Sequence, residues 1–255
     1  MRRWTRFLLV TLMLMTIAVT PQLWASGTAP GIQPDEAVTK LKEGNARFVS
    51  GATQHPNQDQ NRRSATATDG QHPFATVLGC SDSRVPVEML FDSGIGDIFV
   101  IRVAGNVADT DEIGTIEYAV DHLGTPVLVV LGHTQCGAVT AVVKNAEVHG
   151  KIVPLVAKIR PAVAKTKALY PQSSGDDFLN EAIRGNVWQA IEDLLRASPV
   201  TVERVRSGQL KVIGAIYHLD SGSVHWLGPH PLQEQLLSKH KSATPHKKST
   251  KAAHQ

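Results

Sequence analysis

Cysteine is scarce in this sequence: only Cys80 and Cys136 occur among its 255 residues. Because there is no third cysteine, a metal site closed by cysteines alone is excluded. The two cysteines lie in the stretches LGCSDSR (78–84) and GHTQCGA (132–138). They could bond to each other, bind a metal ion or remain free, and only their surroundings can decide between these possibilities.

A long hydrophobic run is also missing near the N-terminus. Residues 7–19 form an apolar run of 13 residues, whereas a membrane-spanning helix needs about 20. Arg2, Arg3 and Arg6 precede this run, and Ala25 offers a small residue for cleavage. The pattern predicts a signal peptide over 1–25 rather than a membrane anchor. We therefore expect a periplasmic or otherwise exported protein without stable membrane insertion, where a cysteine pair is by default a disulfide.

Excess positive charge is absent from the central part of the chain. The formal net charge is +3, but the first 25 residues hold three arginines and the last 17 hold five lysines, which leaves −5 for residues 26–238. This balance argues against nucleic acid as a partner. Residues 26–34 are predicted to be a linker, and residues 239–255, which contain no acidic residue, a basic disordered tail.

The rest of the sequence alternates between patterns typical of helices and of buried strands. Helices are predicted over 34–51, 111–124, 138–150, 152–170 and 176–197, and a loop over 52–73. Strands are predicted over the apolar runs 74–80, 97–106 and 125–133, followed by a strand and a hairpin over 211–228. This order predicts an α/β fold with a mostly parallel central sheet flanked by helices, and with an N-terminal helical arm.

Both cysteines follow a predicted buried strand, and His133 ends the strand that leads to Cys136. Parallel sheets place functional groups beyond the carboxyl ends of their strands, so Cys80, His133 and Cys136 converge if the two strands are neighbours. Two thiolates and an imidazole are ligands that Zn²⁺ favours, and three protein ligands leave one position open, as in catalytic sites. A disulfide explains the cysteines without His133, and spacing alone leaves both hypotheses open.

The residues after Cys80 favour the metal. In CSDSR, Asp82 and Arg84 are two positions apart. An arginine can grip a carboxylate with two hydrogen bonds and keep it ionised by lowering its pKa. Such a pair could hold a hydrogen-bond acceptor in a fixed orientation beside metal-bound water. A surface ion pair is the alternative, but this loop directly follows a core strand and a candidate ligand.

The paired motifs CSDSR and HTQCG resemble those of the β-class carbonic anhydrases, and the 56 positions between Cys80 and Cys136 are typical of that family. The similarity continues through LKEGNARFV, FVIRVAGNV, EYAVDHLG and LKVIGAIYHLDSGSV. Residues 35–238 are thus identified as a β-carbonic anhydrase-like catalytic domain. Family members are dimers or larger, so we expect a homodimer or tetramer.

The resemblance implies a zinc enzyme that reversibly hydrates CO2 to bicarbonate and a proton. Cys80, His133 and Cys136 would bind one Zn²⁺ per subunit, and the dyad of Asp82 and Arg84 would orient a zinc-bound hydroxide. In some members the aspartate instead becomes a fourth zinc ligand in a resting state.

The resemblance also implies roles for further residues. Gln71 and Gly137 stand where the family holds bicarbonate. Arg102 and Tyr217 fall near positions of a regulatory bicarbonate site, but Val77 stands in place of its tryptophan, which argues against this regulation. Candidates for the proton shuttle are His72, His122, His149 and His218, and the sequence does not choose among them.

Two alternatives to CO2 hydration remain open from the sequence. The same fold and metal could serve a hydrolase of a CO2-like substrate such as COS or CS2. A protein that is not an enzyme could instead use a Cys80–Cys136 disulfide as a structural cross-link.

Overall fold

The computed structural model describes residues 31–240. The predicted signal peptide, residues 26–30 of the predicted linker and residues 241–255 of the predicted tail lie outside the described residues. Within 31–240, no helix is both long and apolar enough to cross a membrane.

The described chain contains ten α-helices and five strands. The helices are α1 (Pro34–Ser50), α2 (Gln60–Asp69), α3 (Val87–Leu90), α4 (Thr110–Glu117), α5 (Gly137–Val143), α6 (Ile152–Ala157), α7 (Arg160–Leu169), α8 (Gly175–Ala197), α9 (Pro199–Arg206) and α10 (Gln233–Ser238). The strands are β1 (Ala75–Gly79), β2 (Ile98–Arg102), β3 (Val127–His133), β4 (Lys211–Tyr217) and β5 (Val224–Gly228). A π-helical turn, Tyr118–His122, continues α4.

The strands form one sheet in the order β2-β1-β3-β4-β5. The first four are parallel, and β5 returns antiparallel to β4 as the predicted hairpin. The α/β fold with a mostly parallel sheet is therefore confirmed. After β1 the chain adds β2 on one side of it, and then β3 on the other. The gap between β1 and β3 is thus a topological switch point, where α/β proteins place their ligand sites.

Both faces of the sheet are covered, which explains why its strands are apolar without alternation. All seven residues of β3 are buried. Leu128 and Val130 join the core beneath α8, whereas Val129 and Leu131 join the core that contains Leu41 of α1. The sheet therefore lies between two helical layers.

Helix α1, the predicted N-terminal arm, packs against its own chain. It buries Ala37, Leu41, Gly44 and Asn45. The Nδ2 group of Asn45 donates to the carbonyl oxygens of Leu90 at 3.0 Å and Gly222 at 2.9 Å. These contacts anchor the helix to α3 and to the turn between β4 and β5 within one subunit.

The helix boundaries differ from the predictions in three places. The loop predicted over 52–73 is wrong, because it contains α2, whose polar residues show no buried face and whose N-cap is Asp59. The helix predicted over 138–150 ends at Val143. The helix predicted over 152–170 is two helices, since Pro161 in the first turn of α7 cannot donate a backbone hydrogen bond.

Candidate active site

The two cysteines and His133 meet at the switch point of the sheet. Cys80 directly follows β1, and His133 is the last residue of β3. The ligand atoms of Cys80, His133 and Cys136 all lie within 4.8 Å of one another. All three residues are buried, and both cysteines are free thiols. The structure thus brings together the three residues that the sequence predicted would converge.

The turn from β3 to α5 allows two residues three positions apart to face one point. Gln135 lies in the left-handed region with φ 57° and reverses the chain between His133 and Cys136. Cys136 then takes the N-cap position of α5 in an extended conformation. Its sulfur therefore stands at the start of a helix, beside the end of the neighbouring strand.

The hydrogen bond of His133 prepares one ring nitrogen for a metal. Nδ1 of His133 lies 2.9 Å from the carbonyl oxygen of Thr134, which can only accept, so Nδ1 carries the proton. Nε2 then has a free lone pair, and within residues 31–240 it is a buried atom without a hydrogen-bond partner. An orphaned imidazole nitrogen beside two thiols fits Zn²⁺, whose histidine ligands are usually oriented by a bond at the other nitrogen.

The pKa values of the two thiols are shifted in opposite directions. The hydrogen bond from the Cys136 thiol lowers the pKa of Cys80, against the effect of burial, and His133 and the Gly105 N–H add to it. The pKa of Cys136 is raised, first by that shared proton and then by burial. The N–H of Gly105 lies 3.3 Å from the Cys80 sulfur. The Gly105 N–H is thus placed to stabilise negative charge on Cys80.

Asp82 and Arg84 form the predicted pair. Nε of Arg84 donates to Oδ1 of Asp82 at 2.9 Å, and Nη2 donates to Oδ2 at 2.8 Å. These bonds hold the pKa of Asp82 well below its usual range. Oδ2 of Asp82 is 3.8 Å from Nε2 of His133. The carboxylate is therefore ionised, fixed in orientation and adjacent to the candidate metal ligands.

Arg102 supports the loop that carries these groups. From the end of β2, its guanidinium donates to the carbonyl oxygens of Cys80 at 3.0 Å and Asp82 at 2.6 Å. The sequence did not predict this contact, because it joins residues that are 20 and more positions apart. The resemblance gave Arg102 a role only in a regulatory site together with Tyr217. In the structure, Tyr217 ends β4, and Val77, which replaces the tryptophan of that site, is buried in β1.

Other predicted site residues have different positions. Gly137 is the first residue of α5, next to Cys136. Gln71 is exposed and precedes β1, whereas Cys80 follows it, so the two lie beyond opposite ends of a strand that spans about 16 Å. A single chain does not bring Gln71 to the cluster.

The candidate proton shuttles also differ in their positions. His218 lines a cavity of about 430 Å³ that is also lined by Thr134, the neighbour of His133. His72 is exposed before β1, His122 ends the π-helical turn, and the side chain of His149 is 82% exposed.

Known proteins match both the sequence and the fold. The family model described as carbonic anhydrase matches residues 75–224. The chain is 40% identical over 197 residues to carbonic anhydrase 2 of Mycobacterium tuberculosis, a match that covers 76% of this chain and 92% of that protein. The chain belongs to the β-class carbonic anhydrases. The carbonic anhydrase of Mycolicibacterium smegmatis is also 40% identical, over 76% of this chain and 94% of its own.

Solved β-carbonic anhydrases share the fold. The crystal structure of CafA from Aspergillus fumigatus matches with a TM-score of 0.64 and 29% identity, over 82% of this chain and 99% of that chain. The protein is therefore a carbonic anhydrase, as the motifs implied, and the alternative of a protein that is not an enzyme is wrong. The family match includes the cluster and the Asp82–Arg84 pair, and it begins after Gln71.

Proposed function

We propose that this carbonic anhydrase hydrates CO2 reversibly at one Zn²⁺ per subunit, held by the sulfurs of Cys80 and Cys136 and by Nε2 of His133. The convergence of two free thiols and an unpartnered imidazole nitrogen within 4.8 Å carries this proposal. When bound, Zn²⁺ supplies a Lewis acid that lowers the pKa of a coordinated water toward about 7.

Asp82 and Arg84 act on the attacking oxygen. Asp82 accepts a hydrogen bond from the nucleophilic water and fixes its direction, and Arg84 keeps the acceptor ionised and oriented. Both Asp82 oxygens accept hydrogen bonds from Arg84, which supports this dyad over a resting state with Asp82 as fourth ligand. The Asp82 carboxylate lies 3.8 Å from Nε2 of His133, so a cation held by the cluster would also be attracted to it.

The substrate is held by groups from two subunits. The backbone N–H of Gly137 stands beside Cys136 and is free to donate to bicarbonate, because the first N–H groups of a helix have no partner within it. Gln71 lies too far from its own cluster, so we assign it to the site of a neighbouring copy. Helices α1 and α3 pack together and leave Val49 48% and Met89 60% exposed, which supports a homodimer or tetramer.

His218 is the candidate that we assign to proton export. It lines the same cavity as Thr134, the residue that follows the candidate ligand His133. The matched comparison is His149, which lies in the loop after α5 and has a side chain that is 82% exposed. His218→Ala should lower the rate mainly at low buffer concentration, whereas His149→Ala should not.

The direct test is stopped-flow hydration of CO2 beside hydrolysis of COS, with the zinc-loaded protein and Cys136→Ser as the variant that lacks a ligand. We expect fast CO2 hydration by the wild type, little COS hydrolysis, and loss of both zinc and rate in the variant. Hydrolysis of COS or CS2 faster than hydration of CO2 would overturn the proposed substrate and favour the CO2-like alternative.

Export is a further proposal, which the signal-like residues 1–25 support. Sequencing the N-terminus of the protein purified from its producing cells tests it. A mature chain that begins near Ser26 in the periplasmic fraction is expected. A chain that retains Met1 in the membrane or cytoplasmic fraction would contradict it.

A further inference from the structure

One residue, Gly105, connects the long helix α8 with a candidate metal ligand. The N–H of Gly105 points at the Cys80 sulfur, at 3.3 Å. The carbonyl oxygen of the same residue accepts a hydrogen bond from Nδ2 of Asn186 at 2.6 Å. Asn186 is 81 positions away in sequence and only 2% exposed. A chain of two hydrogen bonds therefore runs from α8 to the sulfur.

The backbone conformation of Gly105 is fixed by steric contacts. Its φ of 77° lies in the left-handed region that favours glycine. A Cβ atom there would approach Cδ1 of Ile159 to 2.6 Å and Cβ of Ala138 to 3.2 Å. Gly105 thus has little freedom to turn its N–H away from Cys80.

The distance of Asn186 from Gly105 is also fixed by packing. The next residue, Val187, packs where two strand glycines leave room: a Cβ on Gly132 would be 2.7 Å from Val187, and one on Gly214 would be 2.8 Å from it. Gly185 similarly allows α8 to approach Thr166 of α7. Helix α8 is therefore seated tightly, and the amide of Asn186 is held at a constant distance from Gly105.

This arrangement stabilises negative charge on the Cys80 sulfur. The hydrogen bond from Asn186 holds the Gly105 carbonyl, and this restrains the backbone of Gly105 so that its N–H, in the preceding peptide group, stays directed at the sulfur. A donor aimed at a thiolate stabilises the negative charge, and outer hydrogen bonds of this kind orient a metal ligand and tune its affinity. Burial of an amide side chain is costly unless it is bonded, so Asn186 is better suited to this contact than to simple packing.

We propose that Asn186 is a positioning residue of the metal centre, acting on the Cys80 thiolate by holding the backbone of Gly105. This inference rests on the proposed zinc site. According to this inference, a residue of α8, a helix that lies outside both sequence motifs, contributes to the affinity of Cys80 for the metal.

The test is the zinc affinity of Asn186→Leu, measured by competition with a chromophoric chelator at constant pH. The leucine has a similar volume but no donor. The matched control is Asn45→Leu, because Asn45 is also buried and its amide also donates to backbone carbonyls, two in its case, yet it has no contact with the cluster. We expect about 10- to 100-fold weaker zinc binding for Asn186→Leu and wild-type affinity for Asn45→Leu.

The Co²⁺-substituted proteins provide a readout that loss of stability alone does not move. When Asn186 no longer holds the Gly105 backbone, the Gly105 N–H is less firmly directed at the sulfur and the sulfur lone pairs rise in energy, so the sulfur-to-metal charge-transfer band of Asn186→Leu should shift to longer wavelength. Asn186→Ala removes the same donor without a bulky side chain and replaces the leucine variant if that variant does not fold. Wild-type affinity and an unshifted band in the folded variant would overturn the inference, whereas a wild-type protein that binds no zinc would overturn the zinc site itself.

Discussion

Arg84 grips both carboxylate oxygens of Asp82, with Nε 2.9 Å from Oδ1 and Nη2 2.8 Å from Oδ2. The backbone N–H of Arg84 adds a third bond to Oδ1 at 3.0 Å. A carboxylate held in this way has one orientation and one charge state through the neutral pH range. Its neighbour across 3.8 Å is the free nitrogen of His133.

Substitution of Asp82 by asparagine separates catalysis from metal binding. Asp82→Asn keeps the shape of the side chain but places an uncharged amide where the acceptor stood. We expect CO2 hydration to fall at least about 100-fold while the zinc content stays at the wild-type level. Stopped-flow kinetics and metal analysis of the same sample check this. Hydration at the wild-type rate would remove Asp82 from the mechanism.

Removal of Arg84 should change the pKa of Asp82. In Arg84→Ala the pKa of Asp82 should rise toward about 3.9, because the hydrogen bonds that favour the ionised form are lost. Since the folded-state pKa of Asp82 is depressed, the pair stabilises the fold above about pH 4, and this contribution disappears as the pH falls through the folded-state pKa. A titration of the Asp82 carboxyl carbon by NMR measures the shift.

The control for this titration is Arg63→Ala. Arg63 is exposed, and its side chain makes no ion pair with any other described residue. The Arg63 variant should leave the pKa of Asp82 unchanged. Equal pKa values in the Arg84 variant and the wild type would refute the proposed electrostatic role of Arg84.

Complementation between subunits tests the placement of Gln71. Gln71→Ala and Asp82→Asn should each lower the rate as homo-oligomers. Co-expression of the two variants should restore activity above either parent, because a mixed dimer contains one site with Asp82 from one copy and Gln71 from the other. No recovery in mixed oligomers that have been purified with two different tags would place Gln71 elsewhere.

The seating of α1 on its own subunit can be tested with two helical glycines. A Cβ on Gly44 would lie 1.9 Å from the carbonyl oxygen of Phe91, so Gly44→Ala should lower the free energy of unfolding by about 1–3 kcal/mol or more. A Cβ on Gly114 of α4 meets nothing within 4 Å, so Gly114→Ala should stabilise by up to about 1 kcal/mol. Urea denaturation compares them, and equal effects would argue against the close contact.

The sequence predicted the strands and the cluster because both depend on local patterns. An uninterrupted apolar run predicted β3, and the position of Cys80 and His133 after such runs predicted their meeting. Helix α2 was missed because it buries no residue and so shows no periodicity. Its only local signal was the N-cap Asp59, which lies in a stretch rich in polar residues.

The supporting contacts of the site could not be predicted for a different reason. The bonds from Arg102 to the Cys80 loop and from Asn186 to Gly105 join segments that are distant in sequence. They depend on where α8 and β2 lie against the sheet, which no local pattern specifies. The distance of Gln71 from its own cluster likewise became apparent only when β1 was placed between them.

The most direct test of the account is a zinc analysis combined with a thiol titration of the same protein, purified without reducing agents. One zinc per chain, and two reactive thiols after denaturation with a chelator, are the predicted result. A protein without zinc whose Cys80 and Cys136 give no reactive thiol would contradict the metal centre and with it the proposed chemistry.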